Sequence, residues 1–158
     1  MNKPSALRAH LLTSIYELKH SPERLLIFIN NGKVRCTSAR TMSFEYIFNL
    51  QIILTNFASH PDSVILPLLD WLGAHQPEIL ENLSSATEGI QFEVDILDNS
   101  RVDLSLTLCL TERVVVGKDD QGNYTTHHSS EPQKVANFSD PSWVLGTQGT
   151  GSEWVLPR

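Results

Sequence analysis

Two runs of alternating apolar and polar residues between Ile90 and Val116 restrict this chain more than any other feature. In the first, Ile90, Phe92, Val94 and Ile96 share one face, with Gln91, Glu93 and Asp95 on the other. In the second, Val102, Leu104, Leu106, Leu108 and Leu110 alternate with Asp103, Ser105, Thr107, Cys109 and Thr111. Successive side chains of a strand point to opposite sides, so a long period-two pattern predicts strands with one buried and one wet face. Their closeness in sequence predicts an antiparallel hairpin. Apolar residues stay opposite apolar ones only with an odd loop, because a one-residue slip exchanges core and solvent. A loop of Asp98-Asn99-Ser100 would set Asp95 against Asp103, a repulsive cross-strand pair. The expectation is therefore a loop of Asn99-Ser100-Arg101.

The other segments supply partners for this hairpin. Pro4–His20 reads as one amphipathic helix, with Leu7, Leu11, Ile15 and Leu18 on one stripe and Leu12 and Tyr16 on an offset line. Arg24–Asn30 and Lys33–Thr37 read as two short strands joined at Asn30-Asn31-Gly32, a strong hairpin signal. Phe44–Phe57 is a long strand, and Ile47 and Ile53 imply that its second face is partly covered. Ser59 and Asp62 resemble a capping box for a helix running to Gly73. Pro67 should loosen or kink that helix. Its apolar residues, including Trp71, span an arc of roughly 160°, wide for a helix lying on a single sheet. A short helix follows from Gln76-Pro77-Glu78 to about Leu83, and Tyr124–His127 could pair back on the long strand before it. The fold expected is α+β, an antiparallel β-sheet packed on one face by two main α-helices. Residues 1–118 form the domain, and 119–158 form a hairpin and extended tail in which Trp143 and Trp154 are anchors for this subunit or a neighbour.

Composition narrows the function classes. At 158 residues, 41% hydrophobic and 19% charged, the chain is sized for one domain. A net charge of −6 argues against a nucleic-acid surface. No run approaches the ~18 apolar residues of a membrane span, and the N-terminal stretch lacks the apolar core of a signal peptide. Cys36 and Cys109 have no metal spacing and are expected as reduced thiols. There is no G-x-S-x-G elbow, C-x-x-C pair or phosphate-binding glycine loop. His127 and His128 are adjacent, so a strand would point them apart. Asp95, Asp98, Asn99 and Asp103 lack the spacing of a calcium loop and read as a solvated face and turn. No catalytic residue, metal ligand or cofactor is expected, and the chain is not expected to be an enzyme.

An ordered series of short stretches carries a resemblance: Lys3-Pro4, Leu7-Arg8, Ile27-Phe28, Asn31-Gly32, Ser43-Phe44-Glu45, Pro67, Trp71-Leu72, Gln76-Pro77, Asp95-Ile96 and Thr111-Glu112-Arg113. Over about Met1–Lys118 the chain resembles the tail completion protein R family of contractile-tailed temperate phages and prophages. The tail from about Asp119 does not match, apart from Ser130-Glu131-Pro132. The resemblance implies a structural protein of the tail-terminator kind. Such a protein forms a homo-oligomeric ring, a hexamer by analogy, that caps the tail tube at its head-proximal end. Its implied partners are other copies of itself, the tail tube, the sheath and the head or neck proteins, and it would assemble in the host cytoplasm. Arg35, Arg40, Glu45, Glu112 and Arg113 place charge at strand ends or loops beside apolar surface, and with Trp71, Trp143 and Trp154 they are the candidate contacts. Glu112 and Arg113 are expected to form a surface or inter-subunit pair. Two rivals stay open: an adaptor elsewhere in the neck, and a small-molecule regulatory module, which needs a pocket with convergent polar groups.

Overall fold

In the computed structural model, which describes residues 1–36, 42–81 and 89–129, the sheet is organised around β4 (Val102–Lys118). On one side β4 pairs with β2 (Phe44–Phe57), and beyond β2 lies β1 (Leu25–Cys36). The other side of β4 carries β3 (Gln91–Ile96) near its start and β5 (Tyr124–His128) near its end. The order is β1-β2-β4-β3, and every pairing is antiparallel. Phe48, Leu50, Ile52 and Leu54 of β2 and Leu104, Leu106, Leu108 and Leu110 of β4 point to one face and are buried there. Period-two alternation therefore dictates both the strands and the side that becomes core.

Among the described residues four α-helices and a 3-10 turn at Pro22–Arg24 complete the fold: α1 (Lys3–Ser14), α2 (Tyr16–His20), α3 (Asp62–His75) and α4 (Glu78–Glu81). Leu7, Leu11, Ile15 and Leu18 from the first pair and Val64, Leu68, Trp71 and Leu72 from α3 join one cluster with the inward faces of β2 and β4. Each fully buried leucine contributes about 2 kcal/mol relative to exposure, far above any single surface pair. His10 Nε2 meets the Pro67 carbonyl at 3.0 Å, tying α1 to α3 at a point where proline lies inside the helix. This is the α+β architecture expected, with helices on one face of an antiparallel sheet.

Four local readings are corrected. Asn30-Asn31-Gly32 is not a hairpin turn. It is a bulge inside the continuous β1, where the pairing steps from Asn30↔Asn49 to Lys33↔Ile47 and Asn31 takes φ 53°. A bulge and a tight turn need the same positive-φ tolerance, so local composition does not separate them. Pairing of Lys33–Cys36 with Phe44–Ile47 decides the matter. Second, the helix expected over Pro4–His20 breaks at Ile15, which is extended (φ −95°, ψ 117°) and buried. The break re-aims the chain so that Ile15 and Leu18 both reach the core.

Third, the β3–β4 hairpin has the register set aside above, with Asp95 opposite Asp103 and Ile96 opposite Val102. The loop is Asp98-Asn99-Ser100, closed by Leu97 N–H donating to the Arg101 carbonyl at 3.0 Å. Asp98 Oδ1 accepts from Ser100 N–H and Oγ at 2.7 and 2.9 Å, bonds that hold its carboxyl below the usual range. Asp103 meanwhile accepts from Asn56 N–H at 2.7 Å, where β2 bulges and Asn56 takes φ 55°. The Asp98 turn and the Asn56–Asp103 bond fix this register despite the like-charge pair it creates. Fourth, Ser59 does not cap α3. Its Oγ donates to Glu17 Oε1 at 2.9 Å, and Pro61 occupies the N-cap position.

The turn between β4 and β5 is built on Asp119, which accepts from Gln121 N–H at 3.0 Å and from Asn123 N–H at 2.8 Å. Gly122 sits there at φ +88°. A Cβ is strained in that region by about 1 kcal/mol, so Gly122→Ala should lower stability by that amount in chemical denaturation.

Candidate interaction surfaces

Three buried polar residues from distant parts of the chain meet at one end of the sheet: Lys3, Gln76 and Glu112. The first turn of α1 contains no acidic residue, and Asn2 makes no side-chain cap. Glu112, from β4, supplies the missing acceptor. Its carboxylate accepts from Asn2 N–H at 2.7 and 3.0 Å and from Lys3 N–H at 3.0 Å, and it contacts His128 Nδ1 of β5. An anion at a helix N-terminus satisfies donors that have no partner within the helix and complements the macrodipole. Lys3 Nζ donates to Gln76 Oε1 at 2.7 Å, and Gln76 Nε2 donates to Thr111 Oγ1 at 3.0 Å. The cluster thus joins α1, the α3–α4 junction, β4 and β5. Lys3-Pro4, Gln76-Pro77 and Thr111-Glu112-Arg113, three of the stretches that carry the resemblance, converge on it.

Burial pushes the Glu112 carboxyl up, but the N–H groups of Asn2 and Lys3 and the His128 ring outweigh it and hold Glu112 below its ordinary value of 4.5. A folded value below the unfolded one means that the unfolded chain binds the extra proton first. The stabilisation is therefore complete above about pH 4.5 and is lost as pH falls through the lower folded value. Denaturant titrations of the parent and of Glu112→Gln should show a stability gap that narrows in that acid window and is constant above it.

This geometry corrects the expected Glu112–Arg113 pair. Adjacent strand residues face opposite ways, so Glu112 points inward, 2% exposed, while Arg113 is at the surface. Glu112 is withdrawn from any contact with a neighbour. Its position in phase with Leu108, Leu110 and Val114 was the sequence signal for a buried carboxylate. Arg113 instead lies directly opposite Glu45, which lies opposite Arg35 on its other side. Arg35 Nη2 donates to Glu45 Oε2 at 2.6 Å. Three of the expected contact residues thus form one row across β1, β2 and β4, on the sheet face away from the helices. Trp71 is in the core, stacked on His75 with centroids 4.3 Å apart. Arg40, Trp143 and Trp154 lie outside the described residues.

Apolar side chains are exposed at both edges of the sheet. On β3, Phe92 is 68% and Ile96 79% exposed, although they share the face of Leu106 and Val102. The helices cover the middle of the sheet and leave this strand open. On β1, Ile29 and Val34 are exposed on that same face, paired with Leu50 and Tyr46. A depression of about 300 Å³ lined by Pro61, Asp62, Ile65, Ile90, Phe92 and Leu104 adjoins β3. Among the described residues there is no group of three or more His, Cys, Asp or Glu side chains able to hold a metal, and no helix is long and apolar enough to cross a membrane.

An α+β subunit with apolar sheet edges and a charged row on its outer face has the makings of an assembly component, and comparison with known proteins gives the class: a phage tail protein. The family model described as P2 phage tail completion protein R (GpR) matches residues 1–132. The chain belongs to that family, and its role lies in phage tail assembly. It is similar to tail completion protein R of Escherichia phage P2, at 36% identity over 154 residues, covering 98% of this chain and 99% of that protein. The likeness therefore continues past Lys118, beyond the stretches that carry the resemblance in the sequence. No solved structure matches.

Proposed function

We propose that the protein ends tail-tube growth by assembling as a homo-oligomeric ring, a hexamer, on the head-proximal end of the tube. The ring then presents a surface to the head or neck proteins and to the sheath. The observation that carries this reading is the end-to-end likeness to a protein whose name is tail completion. The role is structural rather than catalytic: the chain needs surfaces, and its buried cluster of Lys3, Gln76 and Glu112 serves the fold. The row Arg35–Glu45–Arg113 supports an outward contact, because it sets two cations around one carboxylate on a chain whose net charge is −6. Arg113→Glu should leave the monomer as stable to within about 1 kcal/mol, as exposed charges are worth little. The same change should weaken binding to tail tubes in a co-sedimentation assay.

Deleting the gene from the phage tests the reading. Heads and tails should both be present in the lysate but unjoined, and the tails should be irregular in length. Tails of normal length joined to heads would rule it out. Tails of uniform length that fail to join would favour the adaptor reading.

A further inference from the structure

Resting on the ring reading above, we infer that the joint between neighbouring copies is edge-to-edge: the β1 edge of one subunit pairs with the β3 edge of the next. β1 and β3 are the opposite ends of the order β1-β2-β4-β3, and no described strand pairs with the outer edge of either. Such edges present rows of backbone donors and acceptors that favour pairing with another chain. They differ from one another, as a head-to-tail joint requires and a two-fold joint does not.

Charge gives the match its direction. From Arg24 to Phe44 the sequence holds four cations and no acidic residue, and β1 displays Lys33 and Arg35. β3 holds Glu93 and Asp95 and no cation. The register puts all four of these charges on one face, because Lys33 and Arg35 pair with Ile47 and Glu45, and Glu93 and Asp95 with Ser105 and Asp103. On the other face lie the exposed apolar residues Ile29 and Val34 of β1 and Phe92, Val94 and Ile96 of β3, whereas Leu26 and Phe28, exposed at the start of β1, share the face of the charges. A sheet continued from one copy to the next sets cations beside carboxylates on one side and apolar beside apolar on the other.

Strand directions agree as well. Since every pairing is antiparallel, β1 and β4 run one way and β2 and β3 the other. Rotation about an axis along the strands preserves direction, so the next copy's β3 arrives antiparallel to β1, the same kind of pairing found throughout the sheet. Facing potentials of opposite sign also fix register and reject wrong partners.

Full-length Lys33→Glu/Arg35→Glu and Glu93→Lys/Asp95→Lys variants test the joint by native mass and analytical ultracentrifugation, with circular dichroism to confirm folding. Each variant alone sets like charges against like, and half-assembly should need at least about tenfold more protein. Mixing the two should restore assembly, because each supplies the edge the other lacks, and an even-numbered ring closes with alternating copies. One chain carrying all four substitutions should assemble alone. A wild-type ring that neither variant weakens would overturn edge pairing and leave the ring reading standing. A wild-type protein that stays monomeric, alone and with tail tubes, would instead contradict the ring reading itself. Weakening by one variant only, without rescue on mixing, would also overturn the joint.

Discussion

Trp71→Ala should lower the melting temperature by about 10 °C while leaving the oligomeric state of the folded protein unchanged. The sequence alone allows Trp71 two places, the core or a subunit contact, because the apolar arc of α3 is wider than one sheet needs. Its burial to 3% exposure among Val64, Leu68 and Leu72 assigns it to the core. Truncating a buried tryptophan removes its transfer energy and leaves a cavity, at about 3–5 kcal/mol. For a domain of this size each kcal/mol shifts melting by about 2–4 °C. Its ring also stacks on His75, which in turn bonds the Trp71 carbonyl at 2.9 Å, so the last turn of α3 loosens with it. Thermal melting with native mass separates the alternatives: an unchanged melting temperature with dissociation would place Trp71 at a contact.

Glu112→Ala should cost a comparable amount, about 2–4 kcal/mol, by a different route. It strips the acceptor from Asn2 and Lys3 N–H, and nothing in the first turn of α1 replaces it. It also leaves Lys3 and Gln76 buried beside a void. Because the damage is local to the N-terminus, hydrogen exchange should rise first in α1, ahead of β2 and β4. Glu112→Gln keeps the shape and one acceptor oxygen, so it should recover part of the loss. An alanine variant as stable as the parent would show that the N-terminus is held by something other than Glu112.

The central sheet was legible because alternation along Phe44–Phe57 and Val102–Lys118 is itself the instruction for which face is buried. What remained hidden was non-local. Asn30-Asn31-Gly32 serves as turn or bulge equally well, and the choice falls to the pairing of Lys33–Cys36 with β2. The break at Ile15 carries no glycine or proline, and only the positions of Ile15 and Leu18 against the sheet require it. Asp98 closes its turn strongly enough to accept Asp95 opposite Asp103, an outcome that pairwise charge rules reject.

The candidate contacts divide along the same line. Arg35, Glu45 and Arg113 were chosen singly as charges near strand ends, and register joins them into one row. Glu112 was grouped with its sequence neighbour Arg113 when its phase with Leu110 and Val114 placed it inside. The opposite character of the β1 and β3 edges follows only from strand order, which no local pattern displays.

Negative-stain electron microscopy of tail tubes mixed with the purified protein tests the capping role at its source. One ring of added density should appear at a single end of each tube, and tubes should stop growing once it is bound. Density spread along the tubes, or continued growth of tubes that carry the protein, would contradict that role.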